Sequence, residues 1–114
     1  MTDRELLELA AEAAGIHIHH WFDKCNIFMC SSVEGGDPDY GWNPLEEDGD
    51  AFRLLVEIGN RHNVTLEIGC GGADCDVARR EVYGFQGRDE THALNSATRR
   101  AIVKAAAEIG KENQ

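Results

Sequence analysis

Several clusters in this chain hold residue types that bind metals, phosphates or aromatic rings. Two cysteine pairs share one spacing, Cys25 with Cys30 and Cys70 with Cys75. His17, His19, His20 and His62 add imidazoles, so the ligand types of a zinc site are present. Residues five apart on a strand face opposite sides, so Cys25 and Cys30 converge only across a turn. The run from Cys70 to Cys75, with Gly71-Gly72 inside it, is the better chelating loop. Thiols without a metal remain the default reading, and no metal ligand is assigned. His17 and His19 stand two apart, which puts two imidazoles on one strand face where they can hold a metal or a phosphate. The alternation with Ile16 and Ile18 favours a plainer arrangement, isoleucines toward the core and histidines toward solvent.

Two further groups suit an anionic ligand that carries a ring. Tyr40 and Trp42 flank Gly41, and either ring can stack on a base. Asn43-Pro44 then reads as a helix start, N-cap and first helical residue, with Glu46 three beyond the cap. Free amides at such a start attract an anion. Trp42 has a structural alternative, a hydrophobic staple that fixes the approach of the chain to that helix, and the staple is the favoured reading. Arg99 and Arg100 lie off the apolar stripe of the last helix. They suit bidentate contact with a phosphate; otherwise they are solvated or paired with acids, where exposed pairs contribute little. The candidate ligand-binding residues are therefore Tyr40, Trp42, Asn43, Arg99 and Arg100.

Catalytic arrangements find little support. The chain has no Gly-x-Ser-x-Gly elbow, no phosphate loop and no cysteine evidently paired with a histidine and an acid. Glu46 and Asp50 have helical spacing, but seven acids between Glu34 and Asp50 make such pairs unavoidable. The expectation is a protein that is not an enzyme and needs no cofactor.

A chain of 114 residues is long enough for one domain and too short for two. Apolar residues at 42% and charged residues at 28% are ordinary for a globular protein. No window resembles a membrane span, and Met1-Thr2-Asp3-Arg4-Glu5 is not a signal-peptide start, so a cytosolic setting is expected. There, cysteines are thiols or metal ligands rather than disulfides. The formal charge of −10, from 21 acidic and 11 basic residues, opposes sequence-independent contact with nucleic acid. The acids concentrate from Glu34 to Asp50, which contains no basic residue, whereas the last helix carries Arg99, Arg100, Lys104 and Lys111 against Glu108.

These groups need a scaffold, and its punctuation is legible. Thr2 and Glu5 fit a capping box, Leu6, Leu9, Ala10 and Ala13 recur at helical spacing, and Gly15 is the stop, which predicts a helix over Asp3 to Ala14. Ile16 to Phe22 predicts a strand and Asn26 to Cys30 its hairpin partner, with Asp23-Lys24 near the turn. Ser31 to Gly41 reads as a loop. The second helix begins at Asn43-Pro44, or afresh with Asp48 as cap if Gly49 breaks the first turn. It carries Ala51, Leu54, Leu55 and Ile58 and ends at Gly59-Asn60. Asn63 to Cys70 predicts a strand, Gly71-Gly72 a turn, Asp76 to Tyr83 the return strand, and Gly84 to Asp89 a loop. Leu94, Ala97, Thr98, Ala101, Ile102, Ala105 and Ile109 mark one face of a last helix closing at Gly110. The order α-ββ-α-ββ-α favours an α+β domain, two strand pairs forming one mainly antiparallel sheet covered by helices. Its core should hold Leu6, Ala10, Ile18, Leu54, Ile58, Leu66, Ile68, Ala101, Ile102 and Ala105. The run Ala105-Ala106-Ala107 leaves a helix face on which a second copy can approach closely, so a homo-oligomer is expected.

The segments Thr2-Asp3-Arg4-Glu5-Leu6-Leu7-Glu8-Leu9-Ala10, Trp42-Asn43-Pro44-Leu45 with Asp48-Gly49-Asp50-Ala51, and Ala97 through Gly110 resemble the phage ABA sandwich domain family. The resemblance spans nearly the whole chain. It implies a single α/β/α sandwich over residues 1–114 and a phage or prophage origin, hence action in the host cytoplasm; the histidine-rich strand and the cysteines depart from the pattern. The resemblance implies no established activity; by analogy with small non-enzymatic phage proteins that oppose host immunity, the expected function is a sponge that sequesters a host nucleotide-derived signal. Arg99 and Arg100 would meet phosphates, Tyr40 or Trp42 a base, and the amides after Asn43 an anion, with Gly35-Gly36 and Gly71-Gly72 closing over the ligand. The alternatives are an acidic DNA mimic that blocks a host defence protein through Glu34 to Asp50, or a zinc-stabilised interaction module.

Overall fold

The local signals at the N-terminus act as the sequence predicts. The computed structural model describes residues 2–69, 72–77, 80–84 and 91–112, with side chains described for 2–66 and 95–112. Helix α1 spans Asp3–Ala14. Thr2 Oγ1 accepts from Glu5 N at 3.1 Å and Glu5 Oε1 accepts from Thr2 N at 3.2 Å, the reciprocal bonds of a capping box. The same bonds hold the Glu5 carboxyl below its usual range. Gly15 ends the helix at φ 70°, where Gly15 N donates to Glu12 O and Ile16 N to Ala11 O. A left-handed residue makes that closure without strain, and glycine is the residue suited to it.

Strands β1 (His17–Phe22), β2 (Ile27–Ser31) and β3 (Tyr40–Trp42) form an antiparallel sheet in that order. The hairpin is as expected, but β3 falls where the sequence reads as loop. Three residues centred on glycine carry no strand pattern of their own. They are a strand because Phe28 pairs with Trp42, Met29 with Gly41 and Cys30 with Tyr40. The β1–β2 register also shifts between Ile18 and His20, a bulge that opposes the simple alternation of imidazoles and isoleucines.

Helix α2 spans Asp48–Arg61, so it starts later than Asn43-Pro44 and its N-cap is Glu47 rather than Asp48. Asn43 O accepts from both Glu46 N and Glu47 N, and Asn43 Oδ1 accepts from Leu45 N at 3.0 Å. These bonds close a turn before the helix can begin. Asp48 and Asp50 then occupy its first turn, where the helix dipole favours negative charge. Ala51, Leu54 and Ile58 are buried along it.

Strands β4 (Val64–Gly69), β5 (Gly72–Val77) and β6 (Arg80–Gly84) form a second antiparallel sheet. Gly72 opens β5 instead of completing a turn, and the single return strand expected from Asp76 to Tyr83 overlaps two strands. Cys70, Gly71 and residues 85–89 of the expected second loop lie outside the described residues. The described strands thus make two three-stranded sheets, not one: each strand pairs only with its neighbours in the chain, and no described strand of the first set pairs with one of the second. The result is an α+β fold with three helices in the order α-βββ-α-βββ-α.

Helix α3 spans Thr91–Glu112 and packs against α1, α2, β5 and β6. From Ala97 to Gly110 no residue is fully exposed, so the helix buries much more than one face. Gly110 lies inside it rather than at its end. A Cβ there would stand 2.0 Å from Leu9 O, so this glycine permits the close crossing of α1 and α3. Ala105, Ala106 and Ala107 are likewise buried within the chain and present no face to a second copy. Ala10, Leu54, Ile58, Ala101, Ile102 and Ala105 are core residues as expected, and Leu6, Ile18 and Leu66 pack at its margin. The Ile68 side chain is outside the described residues. Among the described residues no helix is long and apolar enough to cross a membrane.

Candidate functional site

The turn over 43–47, the start of α1 and the first half of α3 enclose a polar cavity of about 260 Å³. Three of the five expected ligand-binding residues line it: Asn43, Arg99 and Arg100. Trp21 and Ser96 complete the wall with Asn26, and Asp3 and Glu46 add carboxylates. The helical repeat explains the α3 contribution, since Ser96, Arg99 and Arg100 stand at i, i+3 and i+4 on one face.

The three expected residues are held in place. Asn43 is buried; its backbone N donates to Asp50 Oδ2 at 2.9 Å, and its side-chain amide donates to Asn26 O. Asp50 Oδ1 also takes Arg53 Nη2 at 2.7 Å. Arg99 is only 18% exposed and donates from Nε to Leu45 O at 2.8 Å and from Nη1 to Asp48 Oδ1 at 2.6 Å. Arg100 Nη2 reaches Asp3 Oδ1 at 3.2 Å. A guanidinium carries five N–H donors, so these bonds leave part of each fork for a further acceptor. The two arginines are therefore fixed to the scaffold, and the expected pairing of an arginine with the acidic run is realised at Asp48.

The other expected residues go elsewhere. Trp42 is 3% exposed and belongs to the core beside Phe28, so little of its ring is open to a ligand. It pairs with Phe28 in the sheet, stands well before the N-cap Glu47 rather than next to it as a staple would, and shares the wall of another cavity with Tyr40. Tyr40 is exposed and lines a different cavity of about 300 Å³ with Asp50, Arg53 and Glu57. Burial raises its phenol, which stays protonated. The amides expected to greet an anion after Asn43 are occupied within the turn and by Asp50. Gly35-Gly36 lines neither cavity.

Trp21 and Ser96 were not legible as site residues. The pattern of β1 gives Trp21 no role until the bulge resets the register, after which it pairs with Phe28 and meets it edge to face at 4.8 Å between ring centres. Ser96 carried a signal, its spacing to Arg99 and Arg100.

The metal constellation does not assemble among the described residues, where no group of three or more potential ligands converges. Cys25 is exposed and Cys30 buried, both as free thiols, while Cys70 and the Cys75 side chain lie outside the described residues. Burial and the nearby Asp50 and Asp39 push the Cys30 thiol up to about 11, which keeps it protonated and a poor nucleophile at neutral pH. His19 Nε2 lies 3.0 Å from Ser31 Oγ, whose own proton goes to Val33 O at 2.8 Å, so the ring is the donor. The acidic run is also divided: Asp50 is buried, Asp39 binds Ser32, and Asp48 holds Arg99. That division weakens an extended phosphate-mimicking surface. Compared with known proteins, the chain matches no family model, no curated protein and no solved structure.

Proposed function

We propose that this chain is a non-enzymatic binding protein that captures a small phosphate-bearing molecule of nucleotide type in the cavity around Arg99. The observation that carries the reading is the meeting of Asn43, Arg99 and Arg100 with Trp21 and Ser96 about one cavity. Arginine forks match phosphate oxygens, and forks already anchored lose little freedom on binding. The cavity, about 260 Å³, lies just under the roughly 300–1,000 Å³ of drug-sized ligand sites. It suits a phosphate and its sugar more than a whole dinucleotide.

A role without turnover is in keeping with the residues present. Arginine does not exchange protons near neutral pH, Asp3 is engaged by Arg100, and the Cys30 thiol stays protonated. The resemblance to the phage ABA sandwich family extends the reading to a phage-encoded sponge. It would act in the host cytoplasm on a host nucleotide-derived immune signal.

The test is thermal denaturation with a panel of mononucleotides, cyclic dinucleotides and ADP-ribose derivatives, followed by heat release and mass analysis of the ligand. A ligand at about 100 times its Kd stabilises the fold by about 2.7 kcal/mol, a readily measured shift. We expect one class to stabilise the protein and to be recovered intact. No shift across the panel overturns the binding reading, and recovery of a cleaved product overturns the non-enzymatic one.

A further inference from the structure

A second cavity adjoins the first across a single side chain. It measures about 330 Å³ and is walled mainly by Phe52, Leu55, Leu66 and Ile102, with Asn95 and Asp48 at its edge and Arg99 shared with the polar cavity. The register of α3 produces this sharing. Asn95, Arg99 and Ile102 follow one helical stripe toward the apolar side, Ser96, Arg99 and Arg100 follow the neighbouring stripe, and Arg99 belongs to both. Its guanidinium is pinned on each side of the partition, through Nε to Leu45 O and through Nη1 to Asp48. Leu45 lines the polar cavity and Asp48 the apolar one.

We infer that the two cavities are the halves of one site, in which the apolar cavity takes the base of a nucleotide and the polar cavity its sugar and phosphate. This rests on the functional reading above and names the part of the ligand that the polar cavity is too small to hold. A base offers an apolar π-face and a polar edge. Phe52, 64% exposed on α2, supplies a ring on which such a face stacks, while Leu55, Leu66 and Ile102 supply the apolar floor. Asn95 offers both an acceptor and a donor to the base edge. The planar Arg99 group at the partition suits the junction, because it stacks on rings and bonds to phosphate oxygens. Specificity for a nucleotide over a bare sugar phosphate then comes from the α2 side of the site, and charge recognition from Arg99 and Arg100.

The experiment is calorimetric titration of the full chain with three probes: ribose 5-phosphate, adenosine 5′-monophosphate and adenosine. The measurements are repeated with Phe52→Ala and Phe52→Trp, both at an exposed position that the fold does not depend on. We expect the monophosphate to bind about tenfold more tightly than the sugar phosphate, or better, the scale of one base–aromatic stack. Phe52→Ala should remove that difference and Phe52→Trp restore it. Equal affinity for the two phosphates, untouched by Phe52→Ala, overturns the base subsite while leaving the phosphate-binding reading in place. Binding of adenosine that Phe52→Ala abolishes, with no gain from the phosphate, keeps the base subsite and removes the phosphate reading. No binding of any probe overturns both.

Discussion

Asp50 supports the polar cavity without lining it. Its carboxylate is almost fully buried in the first turn of α2, where one oxygen takes the Asn43 amide and the other Arg53. Removing an acceptor from a buried N–H costs about 1–3 kcal/mol, since that N–H has no water to turn to. Asp50→Ala is therefore expected to lower unfolding free energy by about that amount in urea titration. Asp50→Asn, which keeps an oxygen acceptor, should lose less. A loss below about 0.5 kcal/mol for Asp50→Ala, the range of ordinary surface changes, would show that the turn holds without it. Asn43 illustrates how far such a role can be read from sequence. Its type and its place before Pro44 identify it as an N-cap, yet its bonds go to the turn, to Asn26 and to Asp50 rather than to the amides of α2. The choice between those partners depends on where α2 begins, which no local pattern decides.

The helices and strands divide in the same way between local and distant causes. Helix α1 is legible to the residue because Thr2, Glu5 and Gly15 act on their own neighbours in the chain. Strand β3 is invisible because its pattern is supplied by β2, and the division between β5 and β6 carries no glycine, proline or asparagine to mark it in the sequence from Val77 to Arg80. Gly110 is the sharpest case. From sequence it is a helix stop, whereas in the fold its missing side chain makes room for the α1 backbone. Two glycine substitutions separate these causes. Gly110→Ala drives a Cβ to 2.0 Å from Leu9 O, a backbone atom that cannot step aside. It should destabilise by about 1–3 kcal/mol or more, the scale of overpacking. Gly59→Ala, in the exposed part of α2 with nothing within 4 Å of the added carbon, should stabilise by about 0.5–1 kcal/mol. Thermal and urea unfolding of the two variants measure both signs. An unchanged or raised midpoint for Gly110→Ala would mean that α1 and α3 do not cross as closely as the structure has them.

The whole molecule sets a condition that the site must work against. A formal charge of −10 is spread over a body of 42 × 32 × 23 Å, and an anionic ligand meets that field before it meets Arg99 or Arg100. The arginines cannot reverse it at a distance, because Asp48 and Asp3 already neutralise them in place. Their remaining donors act at hydrogen-bond range only. The screening length decides which influence governs capture. It is about 30 Å at 0.01 M salt, comparable to the molecule, and about 8 Å at 0.15 M. At low salt the ligand is repelled by the entire charge, and at higher salt only by the acids nearest the cavity mouth. The association rate for a phosphate-bearing ligand should therefore rise as salt is added, the opposite of the fall seen where a basic cleft steers an anion inward. An uncharged nucleoside should associate at the same rate throughout. Stopped-flow measurement of both ligands between these salt concentrations checks the sign directly. A rate for the phosphate ligand that falls with salt would mean that the field at the cavity mouth is positive, and that the paired carboxylates do not offset Arg99 and Arg100.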